Sequence, residues 1–457
     1  MTVTLSRDIF REYDIRGVAG KDLTPEVARL VARAYAAFLA EKKVSGTIAV
    51  GRDNRPSGVD LHREMVAGLL ESGLDIVDIG VVPTPLAYWA QHKLNVAGGV
   101  QITGSHNPPE FNGFKLGLGT RSIYGDDIQR IYSLAVAGSF PNGKGSSRDE
   151  AVIDRYVDDV VARIGPISRS LRVVADAGNG AGALVAPLLF DKLGVPVRCL
   201  FCESDGTFPN HHPDPTIPEN LADLIAAVKS DRADVGIAFD GDADRIGVID
   251  DTGEIIWGDQ LLIIYARDVI ARKAKGQPII FDVKCSQALP ESIEKAGGTP
   301  LMWKTGHSLI EEKMHETGAP IAGEMSGHMF FAEGYYGFDD ALYGAARLLR
   351  IIADAGRSIH EMLADVPRFV STPELRVPCP DDKKFALVEE AKKHFAAIHK
   401  VIDVDGVRVL FGDGWGLIRA SNTQPVLVMR FEARTQEHLD AIKSEMEGWL
   451  REHGVKV

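Results

Sequence analysis

An α/β fold of three similar mixed α/β domains plus a smaller C-terminal α+β domain is what the sequence predicts, on three observations. The chain has 457 residues, more than the roughly 250–300 that one hydrophobic core can serve. Strand and helix signals alternate over the first 150 residues, restart after Arg163-Ile-Gly-Pro-Ile, and restart again near Gly253. Beyond residue 367 the order changes to strands flanked by two long helices.

In the first domain (1–150), Thr24 caps a helix with Pro25 in its first turn, and Val27, Leu30, Val31, Ala34 and Phe38 mark one apolar face. A short buried strand over 47–50, a helix over 59–72, a strand over 75–79, a helix near 85–94 and a strand over 97–102 follow. Such a βα series builds a mostly parallel sheet. The second domain (151–253) carries strands over 171–175, 197–201 and 234–239 with a helix over 218–229. In the third (254–367), helices over 260–274 and 287–296 alternate with strands over 278–281 and 320–322. The last (368–457) has strands over 373–377, 407–410, 416–420 and 426–432 beside helices over 381–399 and 436–452.

Composition narrows the function. With 45% hydrophobic and 25% charged residues and no low-complexity tract, the chain has the make-up of an ordinary globular protein. Its longest strongly apolar run, 261–266, is far short of the roughly 20 residues of a membrane helix. Residues 1–10 have neither a basic start nor a signal-length apolar stretch, so a cytoplasmic location without membrane partners is expected. A formal net charge of -13 speaks against nucleic acid as partner. A small anionic substrate is compatible with that charge only where Arg and Lys cluster locally. Cys199 and Cys202 form a C-x-x-C in a segment that reads as a strand, which would point the thiols to opposite faces and disfavour a redox or zinc pair.

The strongest chemical signal is Asp240-Gly-Asp-Ala-Asp-Arg245, three carboxylates at alternate positions between two apolar strands. Crowding them there is stable only around a hard cation, and all-oxygen ligands favour Mg²⁺ or Ca²⁺. An EF-hand is excluded, because its sixth and twelfth positions would be Arg245 and Asp251 rather than Gly and Glu. A solvated acidic turn is the alternative, though it would not need an apolar strand leading into it. Magnesium commonly completes its shell with phosphate oxygen. Thr103-Gly-Ser-His-Asn-Pro-Pro-Glu-Phe-Asn-Gly-Phe-Lys115 offers a place for that phosphate. Ser105 sits just past the carboxyl end of a strand, where open α/β sheets place ligands, with His106 beside it and Lys115 close in sequence. A hydroxyl flanked by proton carriers and a lysine suits phosphoryl transfer. By contrast, Gly178-Asn-Gly-Ala-Gly182 is not a dinucleotide loop: the spacing is G-x-G-x-G, and close packing of strand against helix explains it more simply.

The serine loop, the aspartate loop, Gly323-Glu-Met-Ser-Gly-His328 and Arg419-Ala-Ser-Asn-Thr-Gln-Pro425 resemble, in that order, the four signature loops of the α-D-phosphohexomutase family, and the likeness extends back to Phe10-Arg-Glu-Tyr-Asp-Ile-Arg-Gly17. The resemblance implies four domains around a central cleft, each contributing one loop. It implies that Ser105 carries a phosphoryl group and binds Mg²⁺ together with Asp240, Asp242 and Asp244. Small-molecule hexose phosphates of mannose and glucose would be isomerised between their 1- and 6-phosphates, with glucose 1,6-bisphosphate or mannose 1,6-bisphosphate as intermediate and activator. His106, Lys115, Arg245 and His328 match positions near the reacting groups, with His328 as general base. Glu324, Met325, Ser326 and Gly327 fall in the sugar-selecting loop. Arg419, Ser421, Asn422 and Thr423 match the loop for the non-transferred phosphate, and Tyr13, Arg16, Lys284 and His307 match further substrate contacts. A monomer is expected, with a dimer as the alternative.

Rival readings stay open at this point. Phosphoglucosamine mutase is the nearest within the family, although Met325 and Thr103-Gly104 depart from its usual Gln and Ala. A sugar-phosphate phosphohydrolase, with water as acceptor, and a non-enzymatic sugar-phosphate-binding protein lie outside it.

Overall fold

In the computed structural model, which describes residues 5–422 and 424–457, the chain is a four-domain α/β protein with one sheet per domain. The first sheet holds β1 (Ile15–Val18), β2 (Thr47–Arg52), β3 (Asp75–Val81), β4 (Gly98–Ile102), β5 (Phe111–Leu118), β6 (Arg121–Ser122) and β7 (Ser147–Asp149). Its order is β1-β5-β4-β2-β3-β7, with β6 on β5. Strands β4, β2, β3 and β7 run parallel, whereas β5 runs antiparallel to β4. The predicted first helix is Pro25–Glu41, capped by Thr24, whose side chain accepts a hydrogen bond from the Val27 amide at 3.3 Å; Val27, Val31, Ala34 and Phe38 are buried.

The second sheet comprises β8 (Val173–Asp176), β9 (Val197–Leu200), β10 (Val235–Phe239), β11 (Ile246–Ile249) and β12 (Ile255–Ile256) in the order β12-β11-β10-β8-β9. The third is β13 (Pro278–Asp282), β14 (Thr299–Trp303), β15 (Ile321–Gly323) and β16 (Met329–Phe331), ordered β14-β13-β15-β16. One device recurs in all three. A buried strand in a parallel array runs into a short loop and returns antiparallel beside itself, as β4–β5, β10–β11 and β15–β16. Each loop therefore sits at the carboxyl end of the parallel strands, the edge where α/β sheets hold ligands. The fourth sheet, β17 (Val370–Ser371), β18 (Leu375–Pro378), β19 (Lys400–Ile402), β20 (Val407–Leu410), β21 (Gly414–Ala420) and β22 (Val426–Ala433), is antiparallel, with helices Asp381–Ala396 and Gln436–Glu452.

The core explains how the loops converge. Helices Thr84–Lys93, Ile153–Ile164 and Ala341–Ala355 pack across the first three domains, and Trp89, Tyr156, Phe190, Leu262, Phe331 and Leu348 belong to one continuous apolar cluster. The last domain has its own core around Phe395, Val409, Phe431 and Trp449. It meets the third through Val283, Trp415 and Leu417 and through the buried Arg408, which donates to the carbonyls of Val283 (2.8 Å) and Cys285 (2.7 Å). No helix among the described residues is long and apolar enough to cross a membrane.

Three details correct the sequence expectations. The strand at 197 stops at Leu200, and Phe201 adopts a left-handed backbone (φ 51°). Cys199 and Cys202 therefore do not face opposite sides of one strand: a hydrogen bond between the thiols lowers the pKa of Cys199 and raises that of Cys202. The glycines at 178–182 open a 3₁₀ turn, Ala181–Leu184, rather than an α-helix, and they pack against the aspartate loop instead of a strand and helix. A Cβ at Gly180 would lie 2.7 Å from the Gly241 carbonyl, which also accepts from the Ala181 amide at 2.9 Å. The helix expected over 260–274 divides into an α-helix Gly258–Val269 and a π-helical turn Ile270–Ala274.

Where the first and third domains meet, His92 packs 4.8 Å from the Tyr336 ring and 5.5 Å from Phe338. Burial lowers its pKa to about 4 from 6.5. The unfolded chain then binds a proton that the folded chain resists, so this group's stabilising contribution is present above pH 6.5 and is lost as pH falls towards 4. Replacing His92 by Gln is expected to recover on the order of 1 kcal/mol of the stability lost between pH 7 and pH 5, allowing for partial exposure. Urea midpoints of both proteins at the two pH values measure it.

Candidate active site

The serine loop leaves β4 at Thr103 and rejoins the sheet at Phe111. Ser105 is held in a left-handed backbone (φ 49°), which costs a non-glycine residue about 1 kcal/mol or more. Its amide donates to Thr103 Oγ1 at 2.8 Å. A fully buried guanidinium fixes the rest: Arg55 donates to the carbonyls of Ser105, Asn107 and Pro108 at 2.6 Å each and of Phe111 at 3.0 Å, while its Nε pairs with Asp53 at 3.1 Å. Gly104 must lack a side chain, since a Cβ would come within 2.6 Å of Arg55 Cζ. Ser105 Oγ lies 3.0 Å from His106 Nδ1 and 3.2 Å from Asp240 Oδ2. Burial, then the charges of Arg245 and Arg16, push the His106 pKa well down, leaving a neutral ring able to take the serine proton.

Asp240, Asp242 and Asp244 are buried, with one carboxylate oxygen from each lying within 4.8 Å of the others. Asp240 Oδ1 accepts from the amides of Asp244 and Arg245 at 3.1 Å. Asp242 Oδ2 accepts from the hydroxyls of Thr84 and Thr103, but Asp242 Oδ1 has no hydrogen-bond partner among the described residues. Strand β5 brings Lys115 back opposite Gln101, so that its ammonium contacts Asp244 and lies 3.4 Å from Asp242. Burial alone would lower the Lys115 pKa; Asp242 and Asp244 outweigh it and keep the group charged. Burial, then the facing Asp244 and Asp242, drive Asp240 well up, while Lys115 and His328 hold Asp244 well down against burial. An all-oxygen donor set carrying one orphaned buried oxygen fits a hard divalent cation.

The third loop reaches the same point. Its backbone can approach β11 because Gly327 takes φ 95° and a Cβ there would meet the Ile246 carbonyl at 2.4 Å. His328 Nδ1 lies 2.6 Å from Glu324 Oε2, and its Nε2 is 3.2 Å from both Asp244 Oδ1 and Arg245 Nε. Burial and Arg245 favour the neutral ring, but Asp244 and Glu324 prevail and raise the pKa to about 10. Glu324, which burial would raise, is lowered to about 2 chiefly by His328. Ser326 Oγ is 3.5 Å from His328 Nδ1, and Met325 Sδ touches Arg430.

A second patch adjoins this one. Tyr13 donates to the Thr305 carbonyl at 2.7 Å and accepts from Asn422 Nδ2 at 2.8 Å, joining first, third and fourth domains. His307 bridges the patches, 5.9 Å from both the Tyr13 and His328 rings, and burial, then Lys115 and His328, lower its pKa to about 3. Lys284 pairs with Glu374 at 3.0 Å, Arg419 with Asp405 at 2.9 Å, and Ser421 Oγ accepts from the Gln424 amide at 3.1 Å. Arg16 pairs with Asp14 and reaches the serine loop through its charge on His106. Thr423 lies outside the described residues.

Sequence reasoning missed Asp53, Arg55, Thr84 and Asp339. Asp339 Oδ2 is 3.8 Å from His328 Nε2, and burial, then Asp244, raise its pKa to about 7. A signal for the first two existed: Arg52-Asp-Asn-Arg55 follows a buried strand directly, as the aspartate loop does.

Comparison with known proteins agrees along the whole chain. Four family models match in order: "Phosphoglucomutase/phosphomannomutase, alpha/beta/alpha domain I" over residues 7–141, domain II over 154–253, domain III over 257–369, and the C-terminal domain over 374–448. A phosphomannomutase/phosphoglucomutase of Pseudomonas aeruginosa is 46% identical, covering 98% of this chain and 96% of its own. A phosphoglucomutase of Neisseria gonorrhoeae is also 46% identical, covering 96% of each. Among solved structures, a phosphoglucomutase/phosphomannomutase family protein from Burkholderia thailandensis superposes with a TM-score of 0.91 at 44% identity, covering 98% of both chains.

Proposed function

The chain belongs to the phosphoglucomutase/phosphomannomutase family and is a hexose phosphate mutase; on that premise we propose that it interconverts the 1- and 6-phosphates of mannose and glucose through a phosphoryl group carried on Ser105. The observation that carries this reading is the 3.2 Å approach of Ser105 Oγ to Asp240 Oδ2, between residues 135 apart in the chain. A seryl phosphate there has its oxygens beside the three aspartates.

Asp240, Asp242 and Asp244, with the phosphoserine, would hold Mg²⁺, whose charge would offset that of the carboxylates and the phosphoryl oxygens and weaken the pull of Asp244 on the His328 proton. Lys115 and Arg245 face the transferring group with fixed positive charge, which is most of what phosphoryl transfer asks of a protein. A sugar hydroxyl attacks phosphorus; its proton passes to His328 Nε2, the P–O bond to Ser105 breaks, and the serine oxygen is protonated from solvent by way of His106, whose neutral ring takes up one proton as it delivers another. The resulting 1,6-bisphosphate turns over and returns its other phosphoryl group to Ser105, with His106 now taking the serine proton. Glucose or mannose 1,6-bisphosphate primes the dephosphorylated enzyme. Glu324 and Ser326 select the sugar by accepting hydrogen bonds from its hydroxyls. Arg419, Ser421, Asn422 and Thr423, with Lys284, Tyr13, Arg16 and His307, hold the phosphate that is not transferred.

Intact-mass measurement before and after incubation with glucose 1,6-bisphosphate tests the covalent step. One added phosphoryl group mapped to the Ser105 peptide is expected; phosphate on any other residue overturns the assignment. Asp242→Asn tests the metal assignment, and should raise the half-saturating Mg²⁺ concentration at least about tenfold. An unchanged Mg²⁺ titration would sink it.

A further inference from the structure

On the far side of the second domain, a cluster that the mutase chemistry does not use joins that domain to the third. We propose that Asp250, Glu254 and His360 form a second divalent-metal site, selective for a transition ion of the zinc type and distinct from the aspartate loop. Asp250 follows β11 directly and opens the turn into β12. Its Oδ1 accepts from the Thr252 amide at 2.9 Å, the Thr252 hydroxyl at 2.7 Å and the Glu254 amide at 2.9 Å, which locks the carboxylate in one orientation. The residue is only 1% exposed, and Oδ2 has no hydrogen-bond partner among the described residues. A buried carboxylate oxygen left in that state carries a desolvation cost of roughly 1–3 kcal/mol, more when charged, unless something engages it.

What faces that oxygen is a set of metal-binding atoms. His360 Nδ1 stands 3.7 Å from Asp250 Oδ2, and one ligand atom from each of Asp250, Glu254 and His360 lies within 4.8 Å of the others. His360 is carried by the short helix Ile359–Met362, which is fixed by the Ser358–Glu361 capping box and by the burial of Ile359 and Met362. Tetrahedral zinc with bonds of about 2.0–2.1 Å holds its ligands roughly 3.3 Å apart. The histidine and aspartate need to close by only a few tenths of an ångström. Glu254 and His360 are exposed and can move to meet the ion while Asp250 stays put. One imidazole and two carboxylates with a position open to water suit zinc rather than magnesium, which prefers oxygen alone. An ion held there ties the β11–β12 turn to the third domain.

Zinc titration of the intact enzyme in saturating Mg²⁺, compared with His360→Ala and Glu254→Gln, tests the site. Zinc taken up by the aspartate loop is common to all three proteins, so the difference isolates the new site. The wild type is expected to bind one more equivalent than His360→Ala, or to bind it at least about a hundredfold tighter, with Glu254→Gln also weakened. Zinc should raise the thermal midpoint of the wild type more than that of His360→Ala. Mutase activity in Mg²⁺ alone should be the same in wild type and His360→Ala. Equal zinc stoichiometry, affinity and thermal shift in wild type and His360→Ala would overturn the proposal and leave Asp250–His360 as an interdomain ion pair only.

Discussion

Ser105→Ala is expected to lower kcat at least about a thousandfold with little change in KM, and to abolish labelling by sugar bisphosphate. The reason is geometric. Two neighbouring hydroxyls are already engaged: Thr103 Oγ1 lies 2.8 Å from Asp53 Oδ2 and 3.1 Å from Asp242 Oδ2, and Thr84 Oγ1 donates to Asp242. Both are locked against carboxylates. Binding should survive, because Arg419, Lys284, Tyr13 and Asn422 are supported by Asp405, Glu374 and Thr305 rather than by the serine loop. A loss expressed mainly in KM would therefore point to a binding role, and full turnover would reject a covalent intermediate. Phosphate release separates the reading from a hydrolase, since a mutase conserves phosphate while its sugar is isomerised.

Much of this site was legible because its parts are contiguous runs at strand ends. Asp240–Arg245 stands between two apolar strands, and only a turn can join them, so the carboxylates must crowd whatever the tertiary structure does. Lys115 was legible as a residue but not as a position. The segment 111–118 holds Asn112, Gly113, Lys115 and Gly117, which masks its strand character, yet as β5 it carries the lysine back beside the aspartates. Helix Ala341–Ala355 was legible as well, because Arg347, Arg350 and Asp354 draw one polar stripe along an otherwise apolar run. Helix Ile153–Ile164 was equally so, since Tyr156, Val157, Val160 and Ile164 give it a plain amphipathic face. Contacts between distant parts of the chain, such as Tyr13 with Asn422 or Ser105 with Asp240, link residues from different domains and have no local signature at all.

The arrangement also divides labour between domains. The proposed transferring machinery lies within the three domains that share one core, where Ser105, Asp240, Lys115 and His328 hold fixed separations. The last domain, with its own core, reaches the site through polar contacts: Asn422 to Tyr13, Asp405 to the Thr305 amide at 3.1 Å, and Glu374 to Lys284. On the proposed mechanism a bisphosphate turns over between two half-reactions while staying bound. Polar contacts that water can replace are cheaper to open than an apolar core, so the cleft should loosen there while the cluster of Val283, Trp415 and Leu417 keeps the last domain attached to the third.

Arg55→Met is expected to cost about 3–5 kcal/mol of stability and, under conditions where the variant stays folded by circular dichroism, to lower kcat at least about a hundredfold. Arg55 is wholly buried, and burial depresses its pKa against the pull of Asp53 and Asp242. Removing it strands Asp53, whose own pKa burial already raises, and leaves the carbonyls of Ser105, Asn107, Pro108 and Phe111 without that donor. The Thr103 contact alone then holds the left-handed backbone at Ser105, and the loop should relax so that Oγ moves away from Asp240. Arg55→Lys discriminates charge from geometry. An ammonium can neutralise Asp53 but cannot fork to four carbonyls, so it should recover part of the stability and little of the turnover. Recovery of both would mean that the loop needs only a positive charge beneath it, and that the planar guanidinium does not position the serine.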